Sequence, residues 1–320
     1  LQRYSVSLVV VGCILSLYGI LQSRGVDFYE FDNAYATNVF GTFGNPNFQS
    51  AFMGITGTVA LTWVCFSHAK LVIKLGLIVF VGLAVYNIYL SSEQGYLTLL
   101  TGFTSAVVIF LLSKKQRFLG YSALGLGGIA GLIVLAGIFN KGPLADVIYK
   151  SSLQARSFYW EAAVRMMVDH PLFGVGMDGF GDWYRRSWPG VNGATDTAHN
   201  IPLDIGASGG FPLLVLHLAI IGFALLSIIK VVKRKGDFDV YFAAIVAAWV
   251  AYQAQSIISI NQLGLGVWGW SLTGLLIGYE IYTRDTAPAE NLKSIHKSKA
   301  VRQKLSAGAL VITFGTSGIG

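Results

Sequence analysis

Residues 71–113 read LVIKLGLIVFVGLAVYNIYLSSEQGYLTLLTGFTSAVVIFLLS, two apolar runs (71–90 and 95–113) separated by four residues. A helix rises about 1.5 Å per residue, so each run can cross a hydrocarbon core of about 30 Å. Lipid offers no hydrogen bonds, so a crossing segment must satisfy its backbone internally, and a helix does so. The stretch reads as a helical hairpin standing across a bilayer. Working outward, the pattern recurs at 5–22, 47–67, 118–139, 211–230, 240–259 and 264–283. With the hairpin this predicts eight complete spans, and 306–320 is a further apolar stretch too short to complete one. The predicted class is an all-α integral membrane protein, a polytopic helical bundle. The chain opens at Leu1 and stops within that last stretch, as a segment of a longer protein would.

Composition agrees. Of 320 residues 54% are hydrophobic and 12% charged, with a mean hydropathy of +0.59. A soluble domain carries about 25% charged residues. The net charge of +7 does not point to nucleic acid, because the basic residues sit in short loops between spans. With the N-terminus in the cytoplasm, 16 of the 23 Lys and Arg fall on inner segments, and 11 of the 16 acids on outer ones. This positive-inside bias orients the chain. Cys13 and Cys65 lie in apolar runs, read as small buried hydrophobes, and they lack a metal-ligand spacing.

The outer segments are then 23–46, the turn at 91–94, and a long loop at 140–210. The predicted organisation is spans 1–5 over 1–139, an extracytoplasmic catalytic loop over 140–210, spans 6–8 over 211–285, and a basic cytoplasmic segment over 286–320. Within the loop, Ser151-x-x-Gln154 reads as a capping box opening a helix. Pro171 disfavours helix at the residue before it, so the helix should end near Asp169. Glu161 and Arg165 form an i,i+4 pair. Arg156, Trp160, Ala163 and Met167 share another face, as on a helix lying along the membrane surface.

Several motifs read as ordinary structure. Gly174-Val-Gly176-Met-Asp-Gly179 has dinucleotide-loop spacing, but no strand precedes it, so it reads as a glycine turn. Asp237-Phe-Asp239 reads as a solvated turn, and His217 as a packed histidine within a span. Asp27, Glu30 and Asp32 cluster on the outer face, where carboxylates could hold a divalent cation or act as a base. His199, in Asp196-Thr-Ala-His199-Asn200, lies just before the chain re-enters the membrane. An imidazole there suits a general base.

Arg156-x-x-x-Trp160, His170-Pro171-Leu-Phe-Gly174-Val-Gly176, Phe180, Tyr184 and Ala198-His199-Asn200, in that order, resemble the signature loop of the O-antigen ligase and polymerase family. Gly41-Thr-Phe-Gly-Asn45-Pro46-Asn47 is similar to that family's upstream element. The resemblance covers about residues 40–225. It implies a metal-independent glycosyltransferase with no cofactor, in the cytoplasmic membrane of a bacterium with its active site facing outside. The implied donor is a glycan on undecaprenyl diphosphate, and the implied acceptor a glycan, lipid or protein. His199 would deprotonate the acceptor hydroxyl, and Arg156 would hold the departing diphosphate. Asn200, Trp160, Arg165, Arg185, Arg186, Asn45, Asn47 and Glu93 are the implied substrate-binding residues. Two positions depart from the family. Ser92-Glu93-Gln94-Gly95 stands where Ser-Arg-Gly is frequent, and Ser208 stands where Glu is common. Competing readings are a transporter or lipid flippase, and a metal-dependent transferase built on Asp27, Glu30 and Asp32.

Overall fold

The structure, a computed structural model, describes residues 1–28, 39–148, 151–187, 195–234 and 237–284. Leu1–Glu280 packs as one compact unit, and Ile281–Gly320 forms a second, of which the described part is the end of a helix. The regular structure among the described residues is helical. Helices α1 (Gln2–Ser23), α2 (Pro46–Phe66), α3 (Leu71–Ser91), α4 (Gln94–Ser113) and α5 (Arg117–Ile138) come first. The short α6 (Ala145–Ile148), then α7 (Ser151–Asp169) and α8 (Phe180–Ser187), follow in the long loop. The chain closes with α9 (Ile201–Arg234), α10 (Val240–Ser256) and α11 (Leu263–Arg284). The 71–113 hairpin forms as read, with only Ser92 and Glu93 between α3 and α4.

The bundle is apolar on its outside. Leu71 and Val72 on α3, Phe118 and Leu126 on α5, and Val215 and Leu216 on α9 are all more than half exposed. In water such a surface would aggregate; against acyl chains it is the solvated one. The interior helices α2 and α10 are packed by small residues and aromatics, among them Ala51, Phe52, Ala243, Ala244, Ala247 and Trp249. Small side chains let helix backbones approach closely where no hydrophobic force drives association.

Among the described residues six helices are long and apolar enough to cross a membrane: α1 to α5 and α9. The chain is thus a multi-pass membrane protein. The predicted spans at 240–259 and 264–283 form as the helices α10 and α11, which fall outside that measure of length and apolarity. α10 has 17 residues, about 25 Å of helix. α11 carries a buried Glu280. α10 is clothed by protein, whereas α11 keeps Leu263, Val267 and Trp270 exposed beside its buried face. The cysteines also differ from expectation. Cys13 is half-buried and Cys65 exposed on the bundle's surface, where its thiol adjoins the lipid-facing side.

Several polar side chains inside the bundle are hydrogen-bonded, chiefly to backbone groups. The Gln22 Oε1 accepts from Phe40 N at 2.9 Å and Gly41 N at 3.0 Å, pinning the chain before α2 to α1. Asn87, fully buried, donates to Ser16 O and Leu83 O, each at 3.0 Å. At the other end Arg234 pairs with buried Glu280 at 3.2 Å. Asp239, read as a turn residue, caps α10 by accepting from Tyr241 N at 3.0 Å and takes a hydrogen bond from the Tyr279 hydroxyl at 2.6 Å.

Candidate active site

α7 runs from Ser151 to Asp169, the bounds its sequence predicts: no Gly or Pro interrupts it, and Pro171 ends it. The proposed capping box at 151–154 falls on side chains outside those described. Glu161 and Arg165 pair at 3.6 Å on the exposed side. The other face is turned into the protein. Trp160, Ala162, Ala163 and Met166 pack with Ile138, Phe180, Tyr184, Ala198 and Ala207 in a small core of their own. What α7 leaves to its surroundings is a narrower strip carrying Val164 and Val168.

Two partners close this core. The first is the glycine turn after α7. Val175 N donates to Ala207 O at 2.8 Å, Gly176 N to Ser208 O at 3.1 Å, and Phe211 N to Pro171 O at 2.8 Å. Gly174 has φ +60, and a Cβ there would lie 2.2 Å from Ala207 O, so the docking requires glycine. The second partner is the start of α9. Its 34 residues would reach about 51 Å, well beyond a hydrocarbon core of about 30 Å. The helix breaks at Gly210 (φ 71, ψ −172), two residues before Pro212. Ile201 to Gly209 therefore form an arm outside the span, consistent with the predicted start of the span at 211.

The segment before that arm carries His199. Its φ of +52 is left-handed, which a non-glycine residue adopts only when its neighbours hold it. Ala198 N donates to Asp204 Oδ1 at 2.5 Å on one side. On the other, buried Asn200 caps α9 by accepting from Leu203 N at 3.1 Å. His199 Nδ1 lies 3.0 Å from Thr197 Oγ1. The Tyr159 ring packs against the imidazole with centroids 5.6 Å apart, and against Tyr184 at 5.7 Å.

Arg156 stands three residues before Tyr159, on the same helix. Burial pulls its guanidinium below the ordinary range, with the Tyr159 phenol acting the other way. Burial, then the charge of Arg156, hold the His199 imidazole below its usual value, against a hydrogen bond to the Thr197 backbone carbonyl. Arg156 and His199, 43 residues apart in sequence, thus share one electrostatic environment. A neutral imidazole beside a retained cation can take a proton from one group while stabilising negative charge on another. Asp204 is pushed up to about 7 by burial, opposed by its hydrogen bond from Ala198.

The other predicted residues fare differently. Arg185 is engaged by Asp182 at 2.8 Å and Asp196 at 3.1 Å, and Arg186 is exposed on the end of α8. Trp160 is 6% exposed, its ring edge-on to Phe139 at 5.7 Å. Asn45 opens α2, accepting from Asn47 N at 2.8 Å, and Glu93 sits at the start of α4. Those three belong to helix starts in the bundle rather than to the α7–α9 core. Asp27 accepts from the Tyr18 hydroxyl and from Gln22 Nε2, while Glu30 and Asp32 lie outside the described residues.

Sequence reading missed Tyr159 and Asp204. An Asp in the first turn of a helix that begins beside His199, flanked by Leu203 and Ile205, was the available signal for Asp204. Tyr159 offers none, since tyrosines abound near membrane interfaces.

Residues 76–218 match a protein family described as O-antigen ligase. The match takes in α7, the glycine turn, α8, His199 and the arm of α9, and lies within the stretch that carries the resemblance. It supports a membrane glycan ligase or polymerase acting in polysaccharide biosynthesis. No curated protein matches the chain.

Proposed function

We propose that the chain transfers or polymerises glycan from an undecaprenyl-diphosphate-linked donor, at the outer face of the bacterial cytoplasmic membrane, using the loop 140–210 as its catalytic unit. The observation that carries this reading is the shared environment of His199 and Arg156 within the family-matched segment. In the tautomer that donates Nδ1–H to Thr197, Nε2 carries a lone pair. It takes the proton of the acceptor hydroxyl as that oxygen bonds to the anomeric carbon. The bond from that carbon to the diphosphate oxygen breaks, and the electron pair leaves with the diphosphate. Arg156 meets the growing negative charge with a planar pair of N–H donors. In this reading the cation of the site is the guanidinium, and transfer needs no divalent ion.

The positive-inside bias supports the orientation. The acceptor, whether glycan, lipid or protein, is set by loop surfaces around this centre. Arg165, Arg186 and the Asn45, Asn47 and Glu93 helix starts are second-line candidates for binding the long donor.

The test is a series at Arg156, assayed for transfer from a lipid-diphosphate glycan with and without a chelator. A charge-assisted hydrogen bond contributes about 1.5–3 kcal/mol, or roughly 10–150-fold in rate per bond. Arg156→Ala should fall by at least that, Arg156→Lys should recover part of it, and the chelator should change nothing. Equal transfer by all three proteins would remove Arg156 from the mechanism. Loss on chelation would favour a metal held by the first outer loop.

A further inference from the structure

The turn between α7 and α8 shows side chains that nothing in the catalytic reading uses. Leu172, Phe173 and Met177 are 64%, 82% and 83% exposed. Large apolar groups this bare ordinarily collapse onto a protein surface or mark a contact with something apolar. Here they cannot collapse freely, because the backbone that carries them is fixed at both ends. Pro171 O holds Phe211 N, and Val175 and Gly176 hold the carbonyls of Ala207 and Ser208. The second glycine of this contact, Gly210, would bring a Cβ to 2.5 Å from Pro171 O. The turn is thus seated directly on the break in α9.

That seat fixes its height. Phe211 is the first residue past the break, and from it Val215 and Leu216 continue the lipid-facing surface of the span. The exposed turn residues extend this surface beyond the end of the helix, and exposed Val168 on α7 leads up to them. The flanking Asp169, His170 and Asp178 are exposed and polar, suited to the headgroup level above an apolar tip. A surface continuous with the lipid-facing wall of a span has acyl chains as its nearest solvent.

We infer that the turn at 171–179 dips into the leaflet on its own side of the membrane, with acyl chains covering Leu172, Phe173 and Met177. Dipping would set the level of α7, and so present Arg156 at the depth where lipid-borne phosphates lie. The inference concerns lipid contact alone. It stands or falls without reference to whether the chain transfers glycan.

Full-length protein in which Cys13 and Cys65 are replaced by alanine, carrying Phe173→Cys labelled with an environment-sensitive fluorophore, would be reconstituted into phosphatidylcholine–phosphatidylglycerol vesicles. Ser187→Cys, at the exposed end of α8, serves as the comparison, and Met177→Cys repeats the test at a second tip position. At 173 and 177 emission should be blue-shifted, quenched by lipids bearing a nitroxide on the acyl chain, and protected from aqueous iodide. At 187 the quenching order should reverse. Iodide quenching at 173 and 177 without nitroxide quenching would place the turn in water. Protection from both quenchers would place it against protein. Either result overturns the inference, whatever the transfer assay gives.

Discussion

The bundle and the α7–α9 core are both helical and both bury polar groups, but they treat them differently. In the bundle, Asn87 binds two carbonyls, Gln22 binds two amides, and Arg234 neutralises Glu280. Of the groups left without a bond there, both amide atoms of Gln255 cannot ionise, and the His217 imidazole is an ionisable exception. In the loop core the half-buried groups are ionisable: Arg156, His199 and Asp204 all depart from their ordinary pKa. Structural polarity is paired off, whereas a site keeps charge desolvated and available. Substitutions in the loop core should therefore strike chemistry and spare the fold, and those in the bundle the reverse.

The largest effect falls on His199. General acid–base groups contribute about 10²–10⁴-fold, and His199→Ala should lose that much transfer while insertion and thermal midpoint stay near wild type. Because His199 is held below its usual value, the acidic limb of the pH–rate profile should lie below the ordinary imidazole range in wild type. In Arg156→Ala it should move up, as the neighbouring cation is gone. A variant at 199 with near-normal turnover would break the comparison at its centre.

Next is the bundle's own ion pair. Removing one partner of a buried pair typically costs about 3–5 kcal/mol. Arg234 is 29% exposed by its side chain, so Glu280→Ala belongs near the lower end. Its midpoint in detergent should drop clearly, and transfer per folded molecule should not. A loss of turnover without a loss of stability would show the Arg234 end of α9 acting on the site.

How much of this was legible beforehand follows from the same contrast. The hairpin at 71–113 was readable because lipid imposes a length and an apolarity that a sequence displays directly. α10 and α11 form where spans were expected, but α10 is enclosed by other helices, and a hydropathy pattern does not show which solvent a helix meets. α7 was legible to the residue, with its stop at Pro171. Which of its faces turned inward was not legible, since Trp160 and Met167 suit lipid and protein equally. His199 and Arg156 were found by chemistry and resemblance together. Asp204 escaped because its role depends on a left-handed backbone at His199, and no residue type announces that.

Asp204 offers a stability test of the loop core. Its folded pKa is raised from 3.8 to about 7, so the folded state binds the proton more tightly than the unfolded chain. The contribution is complete below about 3.8 and is lost as pH rises toward 7. At roughly 1.4 kcal/mol per unit, the full swing is about 4 kcal/mol at most. Asp204→Asn removes the ionisation while keeping an acceptor for Ala198 N. Its midpoint should gain on wild type progressively between about pH 3.8 and about pH 7, the interval between the unfolded and folded values, and hold that gain above it. A constant offset across that range would mean that Asp204 ionises as freely as a surface carboxyl.

The smallest effect sharpens the comparison most economically, because it concerns a second arginine on the same helix. Arg165 lies nine residues after Arg156 and pairs with Glu161 at 3.6 Å, with both side chains more than half exposed. Exposed i,i+4 pairs contribute about 0.3–0.5 kcal/mol and are screened by salt. Arg165→Ala should therefore shift the midpoint barely, and less still at high salt. If the site's chemistry resides in desolvated charge, this variant should also transfer glycan at close to the wild-type rate. Should its loss approach that of Arg156→Ala, burial would not be what separates a working cation from a surface one. The donor would then be held along the exposed side of α7, and the distinction drawn between the two faces of that helix would fail.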